Sequence, residues 1–222
     1  MLSILGPYTR LGTVLSALII VFGMIGMTMH RDFYAGRLRK DFLCFYTNVS
    51  NVAVLVYFGL VAPHLYARPA LHSLIPHTEF AVMMSIMLTF SVFHLVLFPT
   101  IRAHVLQMPR TREYRIVCAD NFIIHYFVPL MVFAYWLLCS PDKQVLGPGD
   151  ALYWTVLPLI YVGFIFIRAP IKGVIEEAGS PYPYPFLDVH ILGSAKVLRI
   201  CAILYSVCIL IGLTVIALIR MI

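Results

Sequence analysis

The segment Asp41-Phe42-Leu43-Cys44-Phe45-Tyr46-Thr47-Asn48-Val49-Ser50-Asn51 leads into an apolar run that continues to Tyr66 without another Asp, Glu, Lys or Arg. From Phe42 onward this exceeds the roughly 20 residues an α-helix needs to cross the hydrocarbon of a bilayer. Its beginning is polar and its remainder is greasy. That combination decides the reading of the whole chain: a membrane-spanning helix carrying a polar group of residues just inside one membrane boundary.

The composition agrees with this reading. Of 222 residues, 61% are apolar and only 12% charged, with a mean hydropathy of +0.92. Soluble domains carry roughly 25% charged residues, so a soluble fold is excluded. A net charge of +6 would suggest a nucleic-acid partner in a soluble chain. Here the basic residues fall between apolar runs, where they report topology, and no nucleic-acid partner is expected.

Six runs qualify as spans: Leu11 to Met29, Phe42 to Tyr66, Phe80 to Ile101, Asn121 to Ser140, Ala151 to Ile167 and Ile200 to Ile219. The fifth is the shortest and is interrupted by Pro158. The first ends without a small-residue cleavage pattern and reads as a span, not as a signal peptide. The expectation is an all-α polytopic bundle, residues 1–222 forming a single six-helix transmembrane domain. The five cysteines, Cys44, Cys118, Cys139, Cys201 and Cys208, lack a ligand-like CxxC and read as apolar fillers.

An even number of spans puts both termini on one side. Arg10, Arg68, Lys143 and Arg220 share that side. Arg31, Arg37, Arg39, Lys40, Arg102, Arg110, Arg112, Arg115, Arg168, Lys172, Lys196 and Arg199 fall on the other, a split of four against twelve. Positive charge in short loops stays in the cytoplasm. Both termini are therefore expected outside, in a multi-pass protein of a bacterial plasma membrane, with membrane lipids as neighbours and anionic head groups attracted to the basic loops.

Polar residues inside spans are costly and usually face a bundle interior or a wet cavity. Thr47, Ser50 and Asn51 stand three and four residues apart, on one helical face. Asn121 and His125 repeat that spacing in the fourth span, and Pro129 removes the amide that would bond the His125 carbonyl. His94 lies near the same end of the third span. Thr47 and His125 each sit roughly 6 to 8 Å below the same surface at ~1.5 Å per residue. The fifth loop, Ser180-Pro181-Tyr182-Pro183-Tyr184-Pro185-Phe186-Leu187-Asp188-Val189-His190, is stiffened by three prolines. One pocket collecting Thr47, Asn48, Asn51, His94, Asn121, His125 and Asp188 is the expectation, with no comparable set in the opposite half.

A bland reading accompanies each of these residues. Isolated Ser and Thr in spans serve as glue between helices, worth about 0.6 kcal/mol on average. Histidines at span ends, here His30, His64, His72, His77 and His104, are ordinarily interfacial. Thr47 and His125 rise above this through shared depth. A threonine hydroxyl becomes a nucleophile when a histidine takes its proton, and amide donors such as Asn48, Asn51 or Asn121 suit a developing oxyanion. An acyl ester with its chains among the lipid tails is the corresponding substrate.

The polar start of the second span, the pair His125 and Pro129, and Tyr184-Pro185-Phe186-Leu187-Asp188 before the last span together resemble the androgen-induced and androgen-dependent TFPI-regulating protein family. The likeness is closest to the six-span bacterial relatives, whose functions are largely unassigned. The animal members are intramembrane threonine hydrolases that cleave fatty acid esters of hydroxy fatty acids. The resemblance implies His125 as base. It implies Thr47 as nucleophile when the motif is shifted by one turn, or Cys44 when Phe42-Leu43-Cys44-Phe45 is matched literally. No metal and no cofactor is expected. Two other readings stay open: lipid or small-molecule binding or transport without chemistry, and metal or haem ligation by His94 with His125.

Overall fold

The structure, a computed structural model, describes residues 9–29, 41–99 and 109–221. Six helices among them are long and apolar enough to cross a membrane: Arg10–Met29, Tyr46–Tyr66, Pro69–Leu97, Tyr114–Cys139, Pro148–Lys172 and Ser194–Met221. They are the first to sixth spans below. No strand occurs among the described residues, and extended pairing is limited to the bridge between Ile175 and Ser180. The chain is an all-α, integral multi-pass membrane protein.

Several span boundaries differ from the apolar runs. Counting hydropathy stops at the first charge, whereas helical hydrogen bonding does not. The third span reaches back through a 3-10 turn, Pro69–Leu74, into Ile75–Val92, so Glu79 lies within it. The expected end at Ile101 is outside the described residues. The helix of the fourth span begins at Arg112, where Thr111 caps it by accepting the Tyr114 amide at 3.3 Å. The fifth span likewise runs on to Lys172 and the sixth reaches back to Ser194. Pro158 does interrupt the fifth span. The helix Pro148–Tyr153 ends and a second, Val156–Lys172, begins two residues before the proline, whose missing amide is harmless in a first turn.

Prolines also shape three other spans. Tyr57–Val61, Phe93–Leu97 and Ile123–Phe127 are π-helical turns, each followed two residues later by a proline: Pro63, Pro99 and Pro129. A proline cannot bond the carbonyl four residues back, and its ring crowds that carbonyl. The helix widens by one residue instead. The amides of Ala62, Phe98 and Val128 bond carbonyls five residues back, on Tyr57, Phe93 and Ile123. The loss of the amide at Pro129 is answered in this form, and it places His125 within the widened turn.

The described residues form two compact units, one within 1–39 and 50–143, the other within 40–49 and 144–222. In the first, the first and third spans both pack on Val128–Cys139 of the fourth. Ile19, Phe80, Ile86, Ile124 and Tyr135 are fully buried there, while Leu60 and Leu95 point outward, as a lipid solvent permits. A Cβ on Gly26 would lie 2.5 Å from Ile124 Cγ2 and 2.9 Å from Ile123 Cγ2, so this glycine sets the approach of the first span to the histidine-bearing turn. In the second unit the sixth span packs on Pro148–Tyr153, with Gly212 against Trp154 and Ala151.

Gly26→Ala should therefore destabilise the protein by about 1–3 kcal/mol through overpacking. Gly163→Ala, whose new methyl meets nothing within 4 Å, should be neutral or slightly stabilising. Thermal unfolding in detergent compares the two. Equal midpoints would remove the close approach at Gly26.

Candidate functional site

In the first unit the π-turns of the third and fourth spans bring two histidines into one aromatic cluster. The buried His125 ring stacks on Phe93, with centroids 3.7 Å apart and planes 21° from parallel. Its Nδ1 is 3.2 Å from the carbonyl of Asn121. A carbonyl only accepts, so Nδ1 carries the hydrogen in this bond. His94 lies on the exposed side of the cluster, between Phe90 and Phe98, with Nδ1 3.0 Å from the Tyr126 hydroxyl. Asn51 donates from Nδ2 to the Ile124 carbonyl at 3.3 Å, and Ser50 meets Thr89 at 2.6 Å.

The structure thus brings Asn51, His94, Asn121 and His125 together. Asn121 contributes its backbone. Its side chain donates back to the Val117 carbonyl at 2.9 Å, which commits one of its two amide hydrogens to its own helix.

Thr47, Asn48, Cys44 and Asp188 belong to the second unit. Asn48 donates to the Phe42 carbonyl at 2.8 Å and closes the turn that leads into the helix Tyr46–Val56. Beside it, the Tyr184 hydroxyl accepts the Tyr46 amide at 3.1 Å and interacts with the Thr47 side chain. Burial raises the Tyr184 phenol above its ordinary range, so it stays neutral and available as a hydrogen-bonding partner. Tyr161 donates to the Cys44 carbonyl at 2.7 Å. The Cys44 thiol is buried, and burial pushes its pKa up, opposite to what a thiolate nucleophile requires.

Asp188 is used as a cap. Oδ1 accepts the amides of His190 and Ile191 at 2.8 and 3.3 Å, starting the short helix Val189–Leu192, and Oδ2 accepts the Ser180 hydroxyl at 2.5 Å. The proline-rich loop is closed by these bonds. The carboxylate serves its own loop, with no imidazole bonded to it among the described residues.

Two features went unread in the sequence. Arg168, counted there only as topological charge, is buried and pairs with Asp41 at 2.5 Å while donating to the Gly173 carbonyl at 2.6 Å. It ties the end of the fifth span to the start of the second. Its signal was the Asp41 that opens the polar segment. The second is Glu79, 3% exposed, whose Oε1 accepts the hydroxyls of Tyr66 at 2.9 Å and Tyr135 at 3.1 Å. It lies near the loop-2 end of the third span, in the half where no polar set was expected, and corrects that reading. It immediately precedes Phe80, where the uncharged run of the third span begins.

Among the described residues no three His, Cys, Asp or Glu side chains are grouped to hold a metal ion.

Removing the Asp188 cap should cost about 1 kcal/mol. In Asp188→Ala, hydrogen exchange at the amides of residues 190 and 191 should accelerate while the spans stay protected. The Ser180 hydroxyl bond, followed by the backbone amides, holds the Asp188 carboxyl below its ordinary value of 3.8. Its stabilising effect is therefore present above that value and disappears as pH falls through the lower folded one. Unchanged exchange in the variant would show that the cap carries no weight.

Comparison with protein-family models, with curated proteins and with solved structures returns no match for this chain, so its function rests on the residues described above.

Proposed function

We propose that the protein is an intramembrane hydrolase of acyl esters, with Thr47 as nucleophile and His125 as general base. The observation that carries this reading is the hydrogen bond between His125 Nδ1 and the Asn121 carbonyl. It selects the tautomer whose Nε2 accepts a proton, and the Phe93 ring holds the imidazole plane. Thr47 stands one turn before Asn51 on the helix Tyr46–Val56. Its competitor Cys44 is held as a thiol by burial, which favours the hydroxyl.

In the proposed reaction the Thr47 hydroxyl attacks the ester carbonyl as His125 Nε2 takes its proton. Collapse of the tetrahedral intermediate breaks the acyl–oxygen bond, and the imidazolium protonates the departing alkoxide. Water then attacks the acyl-threonine with the same proton transfers reversed, releasing the acid. Asparagine amide hydrogens are the donors for the oxyanion. Fatty acid esters of hydroxy fatty acids are the substrate class the family resemblance suggests. The distribution of basic residues supports both termini, with the second and fourth loops, on the extracytoplasmic side of a bacterial plasma membrane.

Purified protein should react with an active-site acylating or phosphonylating probe and hydrolyse a long-chain ester in mixed micelles. Thr47→Ala and His125→Ala should each slow turnover by about 10²-fold or more, and Cys44→Ala should remain close to wild type. Labelling and turnover that survive both changes would eliminate this assignment. Saturable lipid binding with no turnover would favour the binding or transport alternative.

A further inference from the structure

Thr47 stands in the first turn of a helix that has no side-chain cap of its own. Phe42–Cys44 is a 3-10 turn, Phe45 is extended at φ −102° and ψ 127°, and the helix Tyr46–Val56 begins directly after it. The Phe45 carbonyl accepts the amides of Asn48 and Val49 at 3.0 and 3.3 Å, which puts Phe45 in the N-cap place. A phenylalanine side chain offers no acceptor to the amides of that turn. The backbone groups on either side of it, the Cys44 carbonyl and the Tyr46 amide, therefore depend on partners from elsewhere in the fold.

Two phenols are those partners. From the fifth span, the buried Tyr161 donates its hydroxyl hydrogen to the Cys44 carbonyl at 2.7 Å, and its ring meets that of Tyr46 edge-on with centroids 5.2 Å apart. From the fifth loop, the buried Tyr184 hydroxyl accepts the Tyr46 amide at 3.1 Å. One phenol thus donates before Phe45 and the other accepts after it. Ahead of the 3-10 turn, Arg168 holds Asp41, so the approach to the helix is tied down within the second unit at its start as well.

Tyr184 is itself held in place. A proline restricts the residue before it to extended backbone, and Tyr184, preceding Pro185, lies at φ −129° and ψ 138°. Its ring stacks on Phe186, with centroids 5.3 Å apart and planes 2° from parallel, and meets Phe45 edge-on at 6.4 Å. The Leu187 amide bonds the Tyr184 carbonyl at 3.0 Å, and Asp188 caps the short helix that follows. The segment Tyr184-Pro185-Phe186-Leu187-Asp188 has no part in the proposed chemistry. What it does carry is a rigid hydroxyl acceptor, brought to the start of the second span across 138 positions of sequence.

Thr47 follows Tyr46 directly, so rotation of the backbone at Phe45 or Tyr46 displaces its side chain. A weak hydroxyl nucleophile depends on near-attack geometry, and a displacement of about 1 Å lowers the rate on the order of 10²-fold. We infer that Tyr184 and Tyr161 are positioning residues for the Thr47 nucleophile, bracketing Phe45 so that the first turn of the second span presents the Thr47 hydroxyl in one orientation. The inference rests on the reading of Thr47 as nucleophile. Both phenols act through the backbone and not on the reacting atoms, so their loss should slow the chemical step and leave ester binding nearly unchanged.

Tyr184→Phe and Tyr161→Phe each remove one oxygen and keep the ring. Tyr205→Phe, which removes a phenol of the same unit that meets the Thr155 hydroxyl at 3.4 Å, is the control. With full-length protein and a long-chain ester in mixed micelles, kcat in the two bracketing variants should fall about tenfold, part of the loss that a full 1 Å displacement brings. KM should change by less than about twofold, and Tyr205→Phe should keep both values. The pH–rate profile should keep its wild-type shape, because the base is untouched. In Tyr184→Phe, hydrogen exchange at the Tyr46 amide should accelerate by about tenfold as its acceptor is lost. Wild-type kcat in either bracketing variant, a loss carried mainly by KM, or an equal fall in Tyr205→Phe overturns the proposal. Should Tyr184→Phe fail to fold, unchanged kcat in Tyr161→Phe overturns it equally. Thr47→Ala separates the two levels: if it abolishes turnover while the bracketing variants retain theirs, the positioning role alone falls. Turnover that survives in Thr47→Ala, or is absent from wild type, removes the nucleophile and the positioning role together.

Discussion

A backbone crossing hydrocarbon has no water to replace a lost hydrogen bond, so any proline within a span must be answered by the helix itself. Here three spans give the same answer. Pro63, Pro99 and Pro129 each follow a turn in which an amide reaches five residues back. Widened turns turn side chains away from the regular helical register and are common at functional sites. Two of these three turns carry histidines, His94 and His125, and they meet through Phe93. The orientation of the imidazole is thus a consequence of where the chain places its prolines.

The second constraint is the cost of polarity in an apolar solvent. Every span asparagine is tied to a backbone carbonyl: Asn48 to Phe42, Asn51 to Ile124 and Asn121 to Val117. Arg168 is matched by Asp41 and two carbonyls, and Asp188 by Ser180 and two amides. This economy separates residues that shape the fold from those that keep reactive capacity. Asp188 and Asn48 fall into the first group because their strongest bonds are local. His125 is held differently, by a bond from Nδ1 to the Asn121 carbonyl and by stacking on Phe93.

Glu79 stands apart from both. Its first oxygen follows the rule of full satisfaction and its second does not. The histidine turns and the Glu79 network share the third and fourth spans, so both depend on the packing of those two helices.

The number of spans, the all-α class and the membrane setting were legible in hydropathy alone, because crossing hydrocarbon demands long uncharged helices whatever their neighbours. The disturbance before Pro129 was legible for an equally local reason: a missing amide acts four residues away. Other features needed the folded chain. Glu79 looked like a boundary residue because its partners, Tyr66 and Tyr135, lie 13 and 56 positions distant. Arg168 looked like a cytoplasmic marker until its pairing with Asp41 across 127 positions appeared. Helical spacing predicts which residues share a face, but the partner that meets that face is chosen by packing between helices, and packing between distant segments leaves no periodic trace in a single sequence.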